Sequence, residues 1–351
     1  MTRRELPAAT IAIIVTFLLI GLIYLGSRGF KDFDSALIGY AVATLFTVAA
    51  LVYRYTLWIT RPPTWRYFKA GWVNFLSWQN FRRYTVLIPL AWWHDIFGQT
   101  FIRQRSTIRW VAHMAIFWGV IISLMITIPL TFGWLRFTLV PPGHYQLWFF
   151  NIPMFQFPIE SGVGFSLFHG LDFSAVLLII GIALALRRRI ADMGLLTTQR
   201  FGFDLMPLVL LFAISVTGLA LTASSLWWEG SFYWFLSLVH QVVVVLWLLS
   251  IPFGKFFHII QRPASIGVLL YQTVNQDVEH YGDQPQTGHC KRCGMELPSQ
   301  QFVTDLQATL TDLHQNYNLG NGRGWLQEYC PTCKRVLRGE AYYQMMGKRF
   351  L

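Results

Sequence analysis

The sequence predicts an all-α polytopic membrane protein, a six-helix transmembrane bundle followed by a small C-terminal cytoplasmic zinc-ribbon-like domain built on four cysteines. Three observations predict it. Only 13% of the 351 residues are charged, against about 25% in a soluble domain. Hydrophobic residues make up 54%, aromatics 17%, and mean hydropathy is +0.43. Six apolar stretches, at roughly 8–26, 35–57, 110–131, 164–186, 204–225 and 232–257, approach the about 20 residues that a membrane-crossing helix needs. All four cysteines come later, at or beyond Cys290, in two CxxC pairs. The same composition excludes a disordered chain, which needs low hydrophobicity and high net charge.

Taken in order, residues 1–57 hold two transmembrane helices. No small-residue cleavage site follows the first apolar run, so that run reads as a retained helix. Residues 58–108 form a cytoplasmic interfacial segment, where Arg61, Arg66, Lys69, Arg82, Arg83, Arg103 and Arg105 face a single acid, Asp95. Trp58, Trp65, Trp72, Trp78, Trp92 and Trp93 alternate with those bases, the composition of amphipathic helices lying in the headgroup layer. A partner-docking surface and a passive interfacial belt both fit. Residues 109–263 form a four-helix core, 264–279 a linker, and 280–351 a soluble domain rich in Gln, Asn, Asp and Gly.

A formal charge of +11 and a pI near 9.7 suit a nucleic-acid binder on first sight. The placement of the bases argues against it. Arg187, Arg188, Arg189 and Arg200 follow the fourth stretch, whereas the loop from Phe132 to Val163 holds only Arg136 and the turn at Trp227–Ser231 holds none. Alternate loops are basic, as the positive-inside rule requires for a chain with both termini in the cytoplasm. The expected location is a prokaryotic cytoplasmic membrane. The first hairpin votes weakly, with Arg3 and Arg4 inside against Arg28 and Lys31 outside.

Ionisable residues inside spans point to function, because burying them in hydrocarbon is costly. His113, His169, His240 and His258 lie in or at the ends of spans. On one continuous sixth helix, the eighteen residues from His240 to His258 make five turns and roughly 27 Å, so both rings project from one face near opposite surfaces. His113 matches the depth of His258, and His169 that of His240. Two cross-helix pairs at two depths suit two bis-histidine haems, since helices of a bundle project imidazoles onto both faces of a porphyrin. Gly119 and Gly170 are expected to let the macrocycle approach the backbone. Ordinary packed histidines at helix ends are the alternative.

The segment Trp110-Val111-Ala112-His113-Met114-Ala115-Ile116-Phe117-Trp118-Gly119 resembles the ligand helix of the respiratory nitrate reductase gamma-subunit superfamily. The stretch Ile251-Pro252-Phe253-Gly254-Lys255-Phe256-Phe257-His258 is similar to its last helix. That superfamily includes the membrane subunits of heterodisulfide reductase and of the sulfite-reduction-associated complex. The likeness covers roughly residues 85–265. It implies two b haems and electron exchange between the quinone pool and a cytoplasmic iron–sulfur partner. The chain departs from the nitrate reductase branch, which carries two histidines on one helix; here the third span has His113 alone and His169 comes from the fourth.

Arg109 and Lys255 lie one turn from His113 and His258 and could neutralise haem propionates by charge-assisted hydrogen bonds, or snorkel as helix-end bases do. Asp172, three residues after His169, is a candidate proton acceptor for a quinol, with Glu160 on the path to the outer water; a hydrogen bond to a neighbouring helix is the alternative. In the tail, Cys290-Lys291-Arg292-Cys293 and Cys330-Pro331-Thr332-Cys333 have the spacing of a four-thiolate cage. Zinc is the first expectation, rubredoxin-like iron the second. The functional expectation is a membrane-anchoring di-haem cytochrome b subunit of a quinol-oxidising or quinone-reducing complex, with electron flow allowed in either direction. A transporter or a complex-assembly protein with a zinc-bound tail is the competing reading.

Overall fold

Six helices in the computed structural model are long and apolar enough to cross a membrane, and 72% of the chain is helical. The structure describes residues 4–76, 78–192, 194, 199–274 and 287–346. Arg3 and the side chains of Trp78, Arg82 and Arg83 lie outside the described set. Helices α1 (Glu5–Gly26), α2 (Ile38–Ile59), α3 (Pro62–Leu76), α4 (Trp78–Ala91) and α5 (Thr107–Thr131) come first. Strands β1 (Leu135–Val140), β2 (His144–Phe149) and β3 (Ile152–Pro158) follow. Next are α6 (Gly162–Phe168), α7 (Gly170–Ala191), α8 (Met206–Trp227), α9 (Tyr233–Ser250) and α10 (His258–Val274). Strands β4 (Thr287–His289) and β5 (Glu296–Ser299) and helices α11 (Gln300–Asp312) and α12 (Pro331–Met346) complete the order.

Two compact units result, one of Met1–Thr56 with Phe97–Ile259, the other of Leu57–Ile96 with Ile260–Leu351. In the first, α5 and α7 cross closely because small residues face each other. A Cβ on Gly119 would lie 2.6 Å from Leu178 Cγ, and one on Gly181 2.9 Å from the Ala112 carbonyl oxygen. Association without a hydrophobic driving force relies on such small-residue contacts. Gly119 therefore serves helix packing and not the approach of a macrocycle, and a Cβ on Gly170 would lie 2.8 Å from Ile126 Cδ1. The core gathers Ala43, Val120, Leu178, Ile182, Leu211, Trp247 and Leu248. No more than 22% of the most apolar window of any candidate span is buried. Leu18, Phe17 and Met125 are 63%, 69% and 71% exposed, an outward apolar surface far beyond the patches of a water-soluble monomer.

The all-α expectation is corrected by five strands. The loop after α5 is an antiparallel three-stranded sheet in the order β1-β2-β3. Its strands are β-branched and aromatic, as pleated surfaces favour. Phe149 pairs with Ile152, and between them Phe150 and Asn151 both take positive φ, 46° and 65°, as a tight two-residue hairpin requires. Arg136 reaches Asp32 Oδ2 at 3.3 Å, and Arg28 bonds the same carboxylate at 2.6 Å, pinning the sheet to the α1–α2 turn. Gly133, at φ +67°, is needed there, since a Cβ would sit 2.5 Å from the Asp32 carbonyl oxygen.

The sixth apolar stretch is also not one helix to residue 257. It ends at Ser250, and α10 starts afresh at His258. Pro252 has no N–H for the Leu248 carbonyl, which accepts from Ile251 N–H at 3.2 Å and from Thr47 Oγ1 at 2.8 Å. Arg54 donates to the Pro252 carbonyl and stacks 4.2 Å from the Phe257 ring centroid. Residues 264–274 of the expected linker are helical, within α10, and residues 275–286 lie outside the described set. In the second unit Ile266 of α10 packs with Phe75, Leu87, Ile88, Ala91, Trp92 and Ile96, so the Trp-rich segment and the tail fold together rather than as separate domains. Residues 97–108 belong instead to the first unit.

The Arg28 hydrogen bond holds the Asp32 carboxyl below its ordinary value of 3.8, with Arg136 adding to it. A depressed folded value gives stability that is present above the unfolded pKa and lost as pH falls through the folded one. Asp32→Asn should therefore lower stability by about 1 kcal/mol at pH 7, the upper range for such pairs. Melting curves of wild type and variant should converge well below pH 3.8; a difference that persists there refutes the assignment.

Candidate functional site

Helix α8 positions the polar groups of the bundle interior. Its Thr222 Oγ1 donates to Asp172 Oδ1 at 2.7 Å, and Asp172 Oδ2 lies 2.8 Å from His169 Nδ1. His169 caps α7 and stacks on Phe165 with ring centroids 4.4 Å apart. Earlier on α8, Thr217 Oγ1 meets His240 Nδ1 at 2.8 Å. Gly218 leaves room for that ring, since a Cβ there would stand 3.4 Å from His240 Cε1. Asp172, Thr222, Gly218 and His240 line one cavity of about 390 Å³ walled by α2, α5, α7, α8 and α9. Trp247 lines it too, and its buried indole Nε1–H has no hydrogen-bond partner among the described residues. A buried donor left unpaired costs about 1–3 kcal/mol, so this wall favours an occupant that carries an acceptor.

The hydrogen bonds define the imidazole tautomers. As a carboxylate, Asp172 can only accept, so His169 Nδ1 carries the proton. Thr217 Oγ1 also lies 2.7 Å from the Ala213 carbonyl oxygen, and when its hydrogen is given there it accepts from His240 Nδ1–H. His258 Nδ1 lies 2.5 Å from the Lys255 carbonyl oxygen, which also can only accept. In all three rings Nε2 makes no hydrogen bond among the described residues. Metal-ligating histidines almost always have their other nitrogen fixed this way. The donor set thus fits iron ligation at His169, His240 and His258.

The remaining expected residues are less gathered. His113 and Arg109 lie exposed on α5, and Glu160 is exposed in the turn after β3. Lys255 Nζ bonds Asp204 Oδ1 at 2.6 Å. Because α9 stops at Ser250, His240 and His258 belong to different helices and the five-turn interval does not hold. Thr217, Thr222, Thr47, Arg54 and Trp247 were not singled out in the sequence. Arg54 had a signal, as a charge within an apolar stretch. Hydroxyls in helices carry none, because threonine in a span usually bonds back to its own carbonyls.

The four cysteines form a cluster that can hold a metal such as zinc. Their sulfurs all lie within 4.8 Å of one another, and Cys293 and Cys330 Sγ are 3.6 Å apart. Tetrahedral Zn–S bonds of about 2.3 Å put sulfurs about 3.8 Å apart. The first knuckle is the turn between β4 and β5, closed by Gly294 N–H to the Cys290 carbonyl at 2.9 Å, with Gly294 at φ +70°. The second opens α12, where Cys333 N–H points at Cys330 Sγ from 3.4 Å; a helix N-terminus favours thiolate. Burial pushes the Cys290 thiol up, but backbone N–H groups of Cys330, Cys293 and Arg292 outweigh it and bring it down to about 6. Burial and the neighbouring thiols push Cys333 up to about 12. Ion pairs from Lys291 to Glu328 at 2.8 Å and Arg292 to Glu340 at 2.9 Å join the knuckles.

Cys290, Cys330 and Cys333 with Leu297 and Tyr329 are also the core of this part of the chain. The tail of the purified protein should therefore carry one tightly held metal atom per chain. Chelation, or Cys330→Ser, should make the tail protease-sensitive while the spans stay intact. One zinc supports a structural clamp, one iron with rubredoxin-like absorbance an electron relay, and a tail that stays resistant without metal overturns both.

Comparison with protein-family models, with curated proteins and with solved structures gives no match to this chain.

Proposed function

We propose that this chain is a multi-pass membrane protein acting as a di-haem cytochrome b subunit, passing electrons between the quinone pool and a cytoplasmic redox partner such as an iron–sulfur subunit. One observation carries the reading: His169, His240 and His258 each tie Nδ1 to a fixed partner and leave Nε2 unbonded among the described residues. In this reading His169 and His240 hold one haem b, and His113 and His258 the other. When bound, the group supplies reversible one-electron transfer at a potential tuned by its ligands and surroundings. The motif likeness around His113 and His258 supports the same assignment.

The chain's own residues supply orientation and proton handling. Asp172 fixes the His169 ring and Thr217 the His240 ring. Asp172 spends two of its roughly four lone-pair sites on His169 and Thr222, so an Oδ lone pair remains for the proton of a quinol in the cavity. Glu160 then hands that proton to water. Trp247 Nε1–H offers a hydrogen bond to a quinone carbonyl oxygen. Exposed Arg109 is better suited than Lys255, tied to Asp204, to pair with propionates. In this reading zinc in the cysteine cage is a structural clamp apart from the electron path.

The transporter reading gains one feature, the break after Ser250, because transporters use discontinuous helices. The break lies at a span's end without a paired counterpart among the described residues, which disfavours that reading.

A pyridine haemochrome assay should find two b-type haems, extractable because no CxxCH attachment motif exists. His169→Ala should remove one. A haem-free intact complex, or a variant with both signals unchanged, sinks the reading. Trp247→Phe should weaken binding of a quinone analogue about fivefold to tenfold, the worth of one buried hydrogen bond, with haem content unchanged; unaltered affinity removes Trp247 from the site.

A further inference from the structure

Helix α3 is turned inside out relative to a helix on a water-soluble surface. Its exposed side holds Trp65, Trp72, Val73 and Leu76, which are 47%, 50%, 62% and 73% exposed. With exposed Lys69 they fall at i, i+4, i+7, i+8 and i+11, one continuous stripe of the helix. The opposite side carries the polar contacts. Arg66 bonds Asp312 Oδ2 at 3.0 Å and the Asp305 carbonyl at 3.3 Å. Tyr67 stacks on Phe302 at 5.6 Å, and Gly71 lies against Gly267. Thus α11 of the cysteine-bearing segment rests on the inward side of α3, and α10 beside it. Along α3 the rings of Trp65, Phe68, Trp72 and Phe75 contact in sequence at 5.8, 6.1 and 5.8 Å, which stiffens the stripe.

We propose that the outward stripe of α3 inserts into the headgroup–acyl boundary of an anionic phospholipid leaflet, so that α3 is the membrane-surface mount of the cysteine cage. Three observations select a bilayer over a protein partner. The candidate span α2 ends at Ile59 and α3 starts at Pro62; three residues reach at most about 11 Å, so α3 begins at the boundary where the span ends. The stripe is tryptophan and aliphatic with one lysine among them, as in interfacial helices whose basic stem snorkels to phosphate. Exposed Arg61 and Lys69 flank and join the stripe, and α3 carries no acid, matching the negative charge of a cytoplasmic leaflet. The inference needs only that α2 crosses a membrane, and it stands or falls apart from electron transfer.

The test places the photo-crosslinker p-benzoylphenylalanine singly at positions 73, 76 and 67 of the full chain, in its native membrane. Irradiation at 73 and 76 should add the mass of one phospholipid to the peptide containing α3. Irradiation at 67 should instead join α3 to the peptide containing Phe302, which also shows that the labelled chain is folded. With the position-67 product present, adducts to another protein at 73 and 76, or no adduct at either, overturn the proposal.

Discussion

Where water is excluded, a polar atom without a partner costs several kcal/mol, and the interior of the helical bundle is organised around that cost. Asp172 could not lie within α7 alone. It is held by Thr222 from α8 and by His169 at its own helix start. His240 leans on Thr217, Ser123 on Ser174 at 2.8 Å, and the Leu248 carbonyl on Thr47 as well as on Ile251 N–H. Each pairing ties two neighbouring helices or closes one helix end. Helix α8 supplies two of these partners, so it orders the imidazoles on both of its flanks. The unpaired Trp247 donor is the exception among the described residues, on a side chain that lines the cavity its neighbours leave open.

The parts of this architecture legible in the sequence are those set by composition over long windows. The apolar stretches become helices because about twenty residues of one character leave the backbone no alternative in hydrocarbon. The CxxC pairs meet because two knuckles converge on one centre whatever lies between. What escaped notice depends on single residues. Pro252 reads as one more residue of an apolar run until α9 is seen to stop at Ser250, just before it. Gly119 looks like a vacancy until Leu178 is seen to fill it. The sheet at 135–158 was hidden because its strands are apolar on both faces, with Phe155, Met154 and Ile152 exposed, so no alternation of polarity marks them.

The second unit shows why contact along the chain was a poor guide to domain limits. The Trp-rich segment and the tail are far apart in sequence, and Arg66 and Asp312 are 246 residues apart. Neither part could bury enough apolar surface by itself. Ile266 needs Phe75, Leu87 and Ile88 around it, and α3 needs α11 to cover Arg66 and Tyr67. Small domains below a useful core size require such pairing or a crosslink; this unit has the pairing, and a cysteine cluster that can hold a metal.

That core of sulfur also sets an order of events at birth. Chains emerge from the ribosome N-terminus first, so α1 to α9 are made before the residues that cover α3 exist. The segment whose core is Cys290, Cys330 and Cys333 is therefore among the last parts to pack. Were a cation to join its cysteine cluster, the fold of that segment would depend on it, as in other small metal-bound domains. Completion of the second unit would then answer to metal supply, whereas the helices made earlier would not.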